Sequence, residues 1–237
     1  MWYLIVTGRS LLWMLTGLLA TLLMLGAFAS PFWLVAAQES TQFNNETIAY
    51  TPSVGVYAKC SKPLKLEVSC TAIGVRGLAT DSHVFPAVWK AATVFLVTGL
   101  SIMSVTVCMS LISCCVQSIF RKSIFTISGA AQALAGWFCP QSVKKISVFV
   151  VAGICFIVGV MLQPMGWGAP RVRRMCGREA SPFYPGDCAL GLGLGLAAAG
   201  TLLTFVAACL SVPAENSTSS DKVQDQIYEG HTLICLA

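Results

Sequence analysis

Polar and apolar positions along this chain segregate into long blocks. Apolar runs cover residues 11–34, 88–115, 146–165 and 189–210. A helix needs about 20 apolar residues to cross a bilayer, and each run meets that length. Polar segments separate them: a first loop over 35–87, a segment over 116–145, a second loop over 166–187 and a tail over 211–237. In the first loop, Val54 to Cys60 and Leu64 to Cys70 contain short alternating stretches that predict strands. The pattern predicts one tetraspan membrane domain over 1–237, an all-α membrane chain with four spanning helices and a cross-linked hairpin or small β-sheet in the first loop.

Two of the runs need argument. The first has a competing reading as a signal peptide, headed by Arg9 and cleaved near Ala27-Phe28-Ala29. It stays apolar past that point, through Pro31 to Val35, so a span is preferred, with Trp33 expected as an interfacial anchor. The third begins weakly. Ile124 to Cys139 is rich in Gly, Ala and Ser, and Lys144 and Lys145 follow. A lysine at mid-bilayer costs about 2.5–3.5 kcal/mol on insertion scales, so the span is placed at 146–165. Residues 123–143 are then interfacial or re-entrant; the alternative is one broken helix over 124–163. In the fourth run Gly191, Gly193, Gly195, Gly200 and Ala197 to Ala199 let helices approach closely. No Lys-Ser/Thr follows them, which argues against a phosphate-cradling loop.

Composition agrees with the blocks. The chain is 56% hydrophobic and 11% charged, where soluble domains carry about a quarter charged residues. The lipid bilayer is therefore its main solvent. The net charge of +5 is scattered, without the basic stripe that nucleic acid binding uses.

Cysteine usage is split. Cys60 and Cys70 lie in the first loop, and Cys176 and Cys188 in the second; the other seven lie in or beside apolar runs or in the tail. Four loop cysteines allow three connectivities. Pairing within each loop closes the shortest rings, and such bonds persist on the oxidising side of a membrane. Free thiols or a zinc site compete, but C-x9-C is poor zinc spacing and no histidine stands near. Asn45-Glu46-Thr47 is an N-glycan acceptor pattern in the first loop. Both cysteine loops are accordingly placed outside. That leaves Lys59, Lys62, Lys65, Arg76, Arg171, Arg173, Arg174 and Arg178 outside, against the positive-inside rule. Asn216-Ser217-Thr218 also matches the acceptor pattern, and a glycan there would invert the topology. Cys114 and Cys115, at the inner end of the second span, are candidates for S-acylation or two small buried hydrophobes.

Trp33, Gly55-Val56-Tyr57, Cys60 and Cys70 together resemble the first-loop signature of the claudin and peripheral-myelin-protein superfamily, with Tyr57 where claudins carry Trp. Further stretches are similar to one branch, the lipoma HMGIC fusion partner-like tetraspans. These are Val6-Thr7-Gly8-Arg9-Ser10, Cys115-Val116-Gln117-Ser118-Ile119, Lys122-Ser123-Ile124-Phe125, Pro164-Met165-Gly166-Trp167-Gly168 and Pro185-Gly186-Asp187-Cys188. The tail, with Thr218 to Gln224 and Leu233 to Leu236, looks most like one member of that family. The resemblance implies a claudin-like bundle with cytosolic termini, and an outer sheet that takes a strand from the second loop. It also implies an accessory role toward partner receptors, channels or adhesion proteins. One departure stands out: Gln132 to Gly136 and Ile154 to Gly168 match the family, while residues 137–153 intervene as an apparent insertion.

Catalysis is not expected. His83 and His231 are the only histidines, and no acidic residue falls inside a span. No catalytic, cofactor-binding or metal-binding residues are assigned, and no cofactor is expected. Transport would call for ionisable groups in the membrane, where only the amides Gln132 and Gln163 stand near. Gln163 is expected to satisfy backbone groups freed by Pro164. The function expected is that of an accessory subunit, a multi-pass protein of the plasma membrane. Its partner would be another integral membrane protein, contacted by the first-loop sheet and by Arg171, Arg173 and Arg174; a homo-oligomer is a further option. The alternative is a claudin-like junction or barrier protein, in which Lys59, Lys62 and Lys65 bias ion selectivity.

If 137–153 is a splice or gene-model insertion, sequencing transcripts across that junction will recover a form without it. Reads that always carry the segment would refute the artefact.

Overall fold

The computed structural model describes residues 4–43, 46–56, 58–61, 69–72, 86–116, 148–218, 220–229 and 233–236. Residues 117–147, which hold most of the apparent insertion and the 123–143 segment, lie outside the described residues. Four helices are long and apolar enough to cross a membrane: Gly8–Ala29, Ala87–Leu111, Val148–Gly168 and Leu192–Thr218. They belong to α1 (Gly8–Ala29), α2 (Ala87–Val116), α3 (Val148–Met165, continued by a 3-10 turn over Gly166–Gly168) and α5 (Leu192–Thr218). Between α3 and α5 lies a short α4 (Pro170–Cys176), and α6 (Asp221–Tyr228) follows α5. With the small antiparallel sheets and a disulfide between Cys176 and Cys188, this is the claudin-like tetraspan architecture.

In α1 and α5 the buried faces are made mostly of small residues, while α2 and α3 also bury large ones such as Leu96, Met103, Phe149 and Phe156. In α1 the buried face is Gly17, Ala20, Thr21, Met24 and Ala27, while Leu11, Leu12, Leu15, Leu19, Leu22 and Leu25 are exposed. In α5 the buried face is Gly193, Ala197, Gly200, Thr201, Thr204, Ala207 and Ala208. Lipid tails are as apolar as leucine, so burying leucine gains little there, and close backbone approach takes over. Hydroxyls inside the spans are satisfied by their own helices: Thr21, Thr93, Thr106 and Thr201 each donate to the carbonyl four residues earlier. Such local bonds avoid an unpaired polar group in hydrocarbon.

The described residues divide into two compact units. One contains Met1–Thr21, Gly99–Gly153 and Leu202–Ala237. Here β1 (Leu4–Thr7) pairs in parallel with β9 (Leu233–Leu236), so the two ends of the chain lie side by side. An even number of crossings puts both ends on the same side of the membrane, which permits such a pairing. Thr7 and Ser10 form a reciprocal cap on α1: each backbone N–H donates to the other's hydroxyl, at 3.1 and 3.2 Å. This satisfies orphan donors of the first turn, and helix α1 consequently starts at Gly8 rather than at Leu11. The Thr7 hydroxyl also bonds that of Ser217 (2.7 Å), near the end of α5. Trp13 meets Phe149 edge-on, with ring centroids 5.5 Å apart.

The other unit contains Leu22–Thr98 and Ile154–Thr201. Its five-stranded antiparallel sheet has the order β7-β6-β5-β2-β8, with β2 Leu34–Val35, β5 Ser53–Val54, β6 Ala58–Ser61, β7 Ser69–Ala72 and β8 Ala189–Leu190. β8 comes from the second loop and pairs with β2, Leu34 opposite Leu190. A separate hairpin joins β3 (Glu39–Phe43) to β4 (Glu46–Tyr50). Leu34, Ala36, Val54, Trp89, Trp167, Val172, Cys176, Ala180 and Cys188 form one apolar core. It draws on both loops and on the ends of α2 and α3.

Two expectations are corrected here. Trp33 is buried rather than an anchor in the headgroups: it is 4% exposed, and its indole N–H donates to the Ala27 carbonyl (2.7 Å) at the end of α1. Gln163 is buried, but its amide nitrogen finds no hydrogen-bond partner. It is the backbone carbonyl of Gln163 that is used, by the Trp89 indole N–H (3.0 Å). The fourth helix also runs beyond 210, through Pro213 to Thr218. Ser217 and Thr218 both donate to the Ala214 carbonyl within it.

A Cβ on Gly166 would lie 2.9 Å from Cε2 of Trp89, whereas one on Gly195 would meet nothing within 4 Å. Gly166→Ala is expected to destabilise by about 1–3 kcal/mol through overpacking. Gly195→Ala is expected to be neutral or to stabilise by up to ~1 kcal/mol. Thermal unfolding of the detergent-solubilised protein will show the opposite signs; equal shifts would contradict the packing described.

Candidate functional site

The site lies in the cap formed by the sheet, the β3–β4 hairpin and α4. Gly55 follows β5 at a point where the chain passes the backbone of Ser30 and Pro31. A Cβ there would lie 2.9 Å from Cα of Pro31 and collide with the Ser30 carbonyl. Only glycine allows that approach, a physical reason for its place in the first-loop signature. Trp33, two residues past Pro31, donates its backbone N–H to Val54 and accepts from that of Gly191. Trp33 and Gly55 are thus brought together. Tyr57 lies outside the described residues.

Cys60 is buried and disulfide-bonded, and Cys70 stands directly opposite it in the β6–β7 register. Cys176 ends α4, and its bond to Cys188 closes a loop whose Asp187 N–H donates to the Cys176 carbonyl (2.9 Å). The loop turns on Gly177 and Gly186, at φ of 87° and 65°, where glycine carries no steric penalty. Asn45 lies outside the described residues, as do the side chains of Cys114 and Cys115 on the last turn of α2.

The three arginines of α4 separate into two roles. Arg173 donates its Nε to the Ala180 carbonyl (2.9 Å), bracing the loop inside the cap. Arg171 and Arg174 instead line a cleft of about 290 Å³ with Glu39, Tyr50, Ser53, Val54 and Met175. Burial, and after it the Arg174 guanidinium, holds the Arg171 pKa below its ordinary value. It remains a cation at neutral pH. Across the cleft the Tyr50 hydroxyl donates to Glu39 Oε2 (2.6 Å), and this bond, reinforced by burial and the carboxylate charge, raises the Tyr50 pKa. Ser53 is 1% exposed, and its Oγ has no hydrogen-bond partner. Sequence reasoning named the arginines but missed Glu39, Tyr50 and Ser53; no short motif links them, since a hairpin and a register bring them together. Among the described residues no group of three His, Cys, Asp or Glu is placed to hold a metal.

The family model of the lipoma HMGIC fusion partner-like proteins matches the chain in two pieces, residues 9–143 and 137–213, which overlap within the apparent insertion. LHFPL tetraspan subfamily member 2a protein of Danio rerio is 35% identical over 245 aligned positions, covering all of both chains. Member 2 of Homo sapiens is 35% identical over 253, again covering both fully. Member 3 of Danio rerio is 24% identical, across 91% of this chain and 87% of the relative.

Because the Tyr50 pKa is raised in the folded protein, its bond to Glu39 stabilises fully below the ordinary tyrosine pKa of about 10. That stability is lost as pH rises through the folded-state value. Tyr50→Phe is therefore expected to lower stability by about 1 kcal/mol at pH 8, with the gap to the unmodified protein closing above pH ~10. Thermal unfolding of both proteins across that range measures the gap; a gap that widens with pH would contradict the bond.

Proposed function

The chain belongs to the lipoma HMGIC fusion partner-like tetraspan family, and we propose that it works as a non-enzymatic accessory subunit. In this reading it binds another integral membrane protein, a receptor, channel or adhesion protein, and helps it assemble or traffic. The observation that carries the reading is the cap. Its sheet ends at β8, whose Leu190 is exposed, and Phe183 and Tyr184 of the second loop are exposed as well. Exposed aromatics on a cross-linked support fit a protein-binding surface. The spans offer a second contact, since small residues let foreign helices approach.

The cap is placed on the extracytoplasmic side of the plasma membrane, with both termini in the cytosol. Disulfide chemistry supports that placement, with Cys60 paired to Cys70 as Cys176 is to Cys188. Asn45 is then the glycosylated position. Asn216 faces the cytosol, and its sequon lies within helix α5, a poor substrate conformation for a glycan transfer that needs the peptide extended. Cys114 and Cys115 fall at the inner leaflet, within reach of S-acylation.

Purification of the tagged protein from native membranes in mild detergent is expected to recover a second integral membrane protein in reproducible amount. Recovery of the protein alone, or of membrane strands between transfected cells, would favour self-association or a junction role instead.

A further inference from the structure

The cleft beside α4 is built unlike the rest of the cap. Arg171 and Arg174, one helical turn apart, both line it, and among the described residues neither has an ion-pair or hydrogen-bond partner. Arg173, between them, is already committed to the Ala180 carbonyl. Ser53 lines the same cleft with its hydroxyl buried and unpartnered. An unmade bond at a buried hydroxyl is a standing cost to the free protein. Among the described lining residues the one carboxylate, Glu39, is turned to the Tyr50 hydroxyl.

We propose that this cleft receives the carboxylate of an aspartate or glutamate side chain from the ectodomain of the partner protein, held by Arg171 and Arg174 and satisfying Ser53. The proposal rests on the accessory-subunit reading and names the chemistry of its contact. A planar fork of donors matches a carboxylate in a way that a point charge does not. At about 290 Å³ the cleft has room for one inserted carboxylate side chain. Val54 and Met175 supply apolar walls beside the two guanidinia. The same donors also serve a phosphate, which is why inorganic phosphate is the competitor in the test.

The test uses the full-length protein in zwitterionic nanodiscs. A capped, glutamate-containing hexapeptide is titrated against its glutamine counterpart, with inorganic phosphate as competitor. The glutamate peptide is expected to bind at least tenfold more tightly, and Arg171→Gln with Arg174→Gln to remove that preference. Ser53→Ala is expected to weaken glutamate-peptide binding severalfold while leaving the thermal midpoint unchanged or higher. A merely structural role for Ser53 would not produce that split. Arg178→Gln, an exposed control outside the cleft, should leave binding unchanged. Equal binding of the two peptides, or binding of phosphate in place of the glutamate peptide, overturns the proposal. A pull-down separates the two levels of argument. If the unmodified protein captures its partner and the double arginine variant captures it equally, the cleft is refuted and the accessory role stands. If no partner is captured at all, the accessory role fails and the cleft's assignment to a partner fails with it.

Discussion

One indole anchors the cap. Trp89 stands near the start of α2, 2% exposed, and its N–H donates to the Gln163 carbonyl one residue before Pro164. Its ring fills the space that a side chain on Gly166 would need. Proline has no N–H to give, so the Val160 carbonyl four residues earlier loses its helical donor. The carbonyls of Gln163 and Pro164 lie in the last turn of α3, where intrahelical donors run out, and they are taken up from outside. Gln163 is bonded by Trp89, and Pro164 by the backbone N–H of Phe183. The end of α3 is thereby tied both to α2 and to the second loop. The family stretch Pro164 to Gly168 reads physically as this joint: a ladder break, a glycine that admits the indole, and a buried Trp167.

From that joint the cap becomes a soluble-type core on a lipid-type base. Trp89 and Trp167 sit in the same apolar cluster as Leu34, Val54, Val172 and the cystine of Cys176 and Cys188. Water drives that cluster together. Within the spans the rule inverts, and only 28–39% of each apolar window is buried. There glycine, alanine and threonine make room for the large residues that are buried, with Met24 against Gly200 and Leu96 against Gly159. The cap therefore holds its shape by area and cross-links, and the spans hold theirs by fit. A partner that engages both must satisfy two different solvents.

Legibility followed the same division. The spans were readable because a run of about 20 apolar residues has few meanings. Their ends were less so: α1 starts where Thr7 and Ser10 cap each other, and α5 continues past Pro213 to Thr218, with Ser217 and Thr218 both donating to the Ala214 carbonyl. Neither effect registers in hydropathy. Trp33 was misplaced for a related reason. An aromatic at the end of an apolar run reads as a headgroup anchor, and only the fold reveals that the carbonyl of Ala27 and the bare face of Gly193 draw it inward. In the cap, short strands were expected, but β2 and β8 have two residues each. No periodicity survives in an element that short, and the resemblance rather than the pattern pointed to their pairing.

The arginines show how far residue type alone can mislead. Arg171, Arg173 and Arg174 are chemically identical and nearly consecutive, and the sequence offers no ground for treating them differently. One turn of helix α4 does. Rotation by about 100° per residue sends Arg173 to the Ala180 carbonyl and leaves the other two on the cleft. A guanidinium already satisfied by the loop it braces contributes to the shape of the cap. Two that have no partner among the described residues, beside a buried hydroxyl in the same state, leave the cleft with binding capacity. In a protein with so few charged residues, that residue of unmet polarity is the feature most in need of a partner.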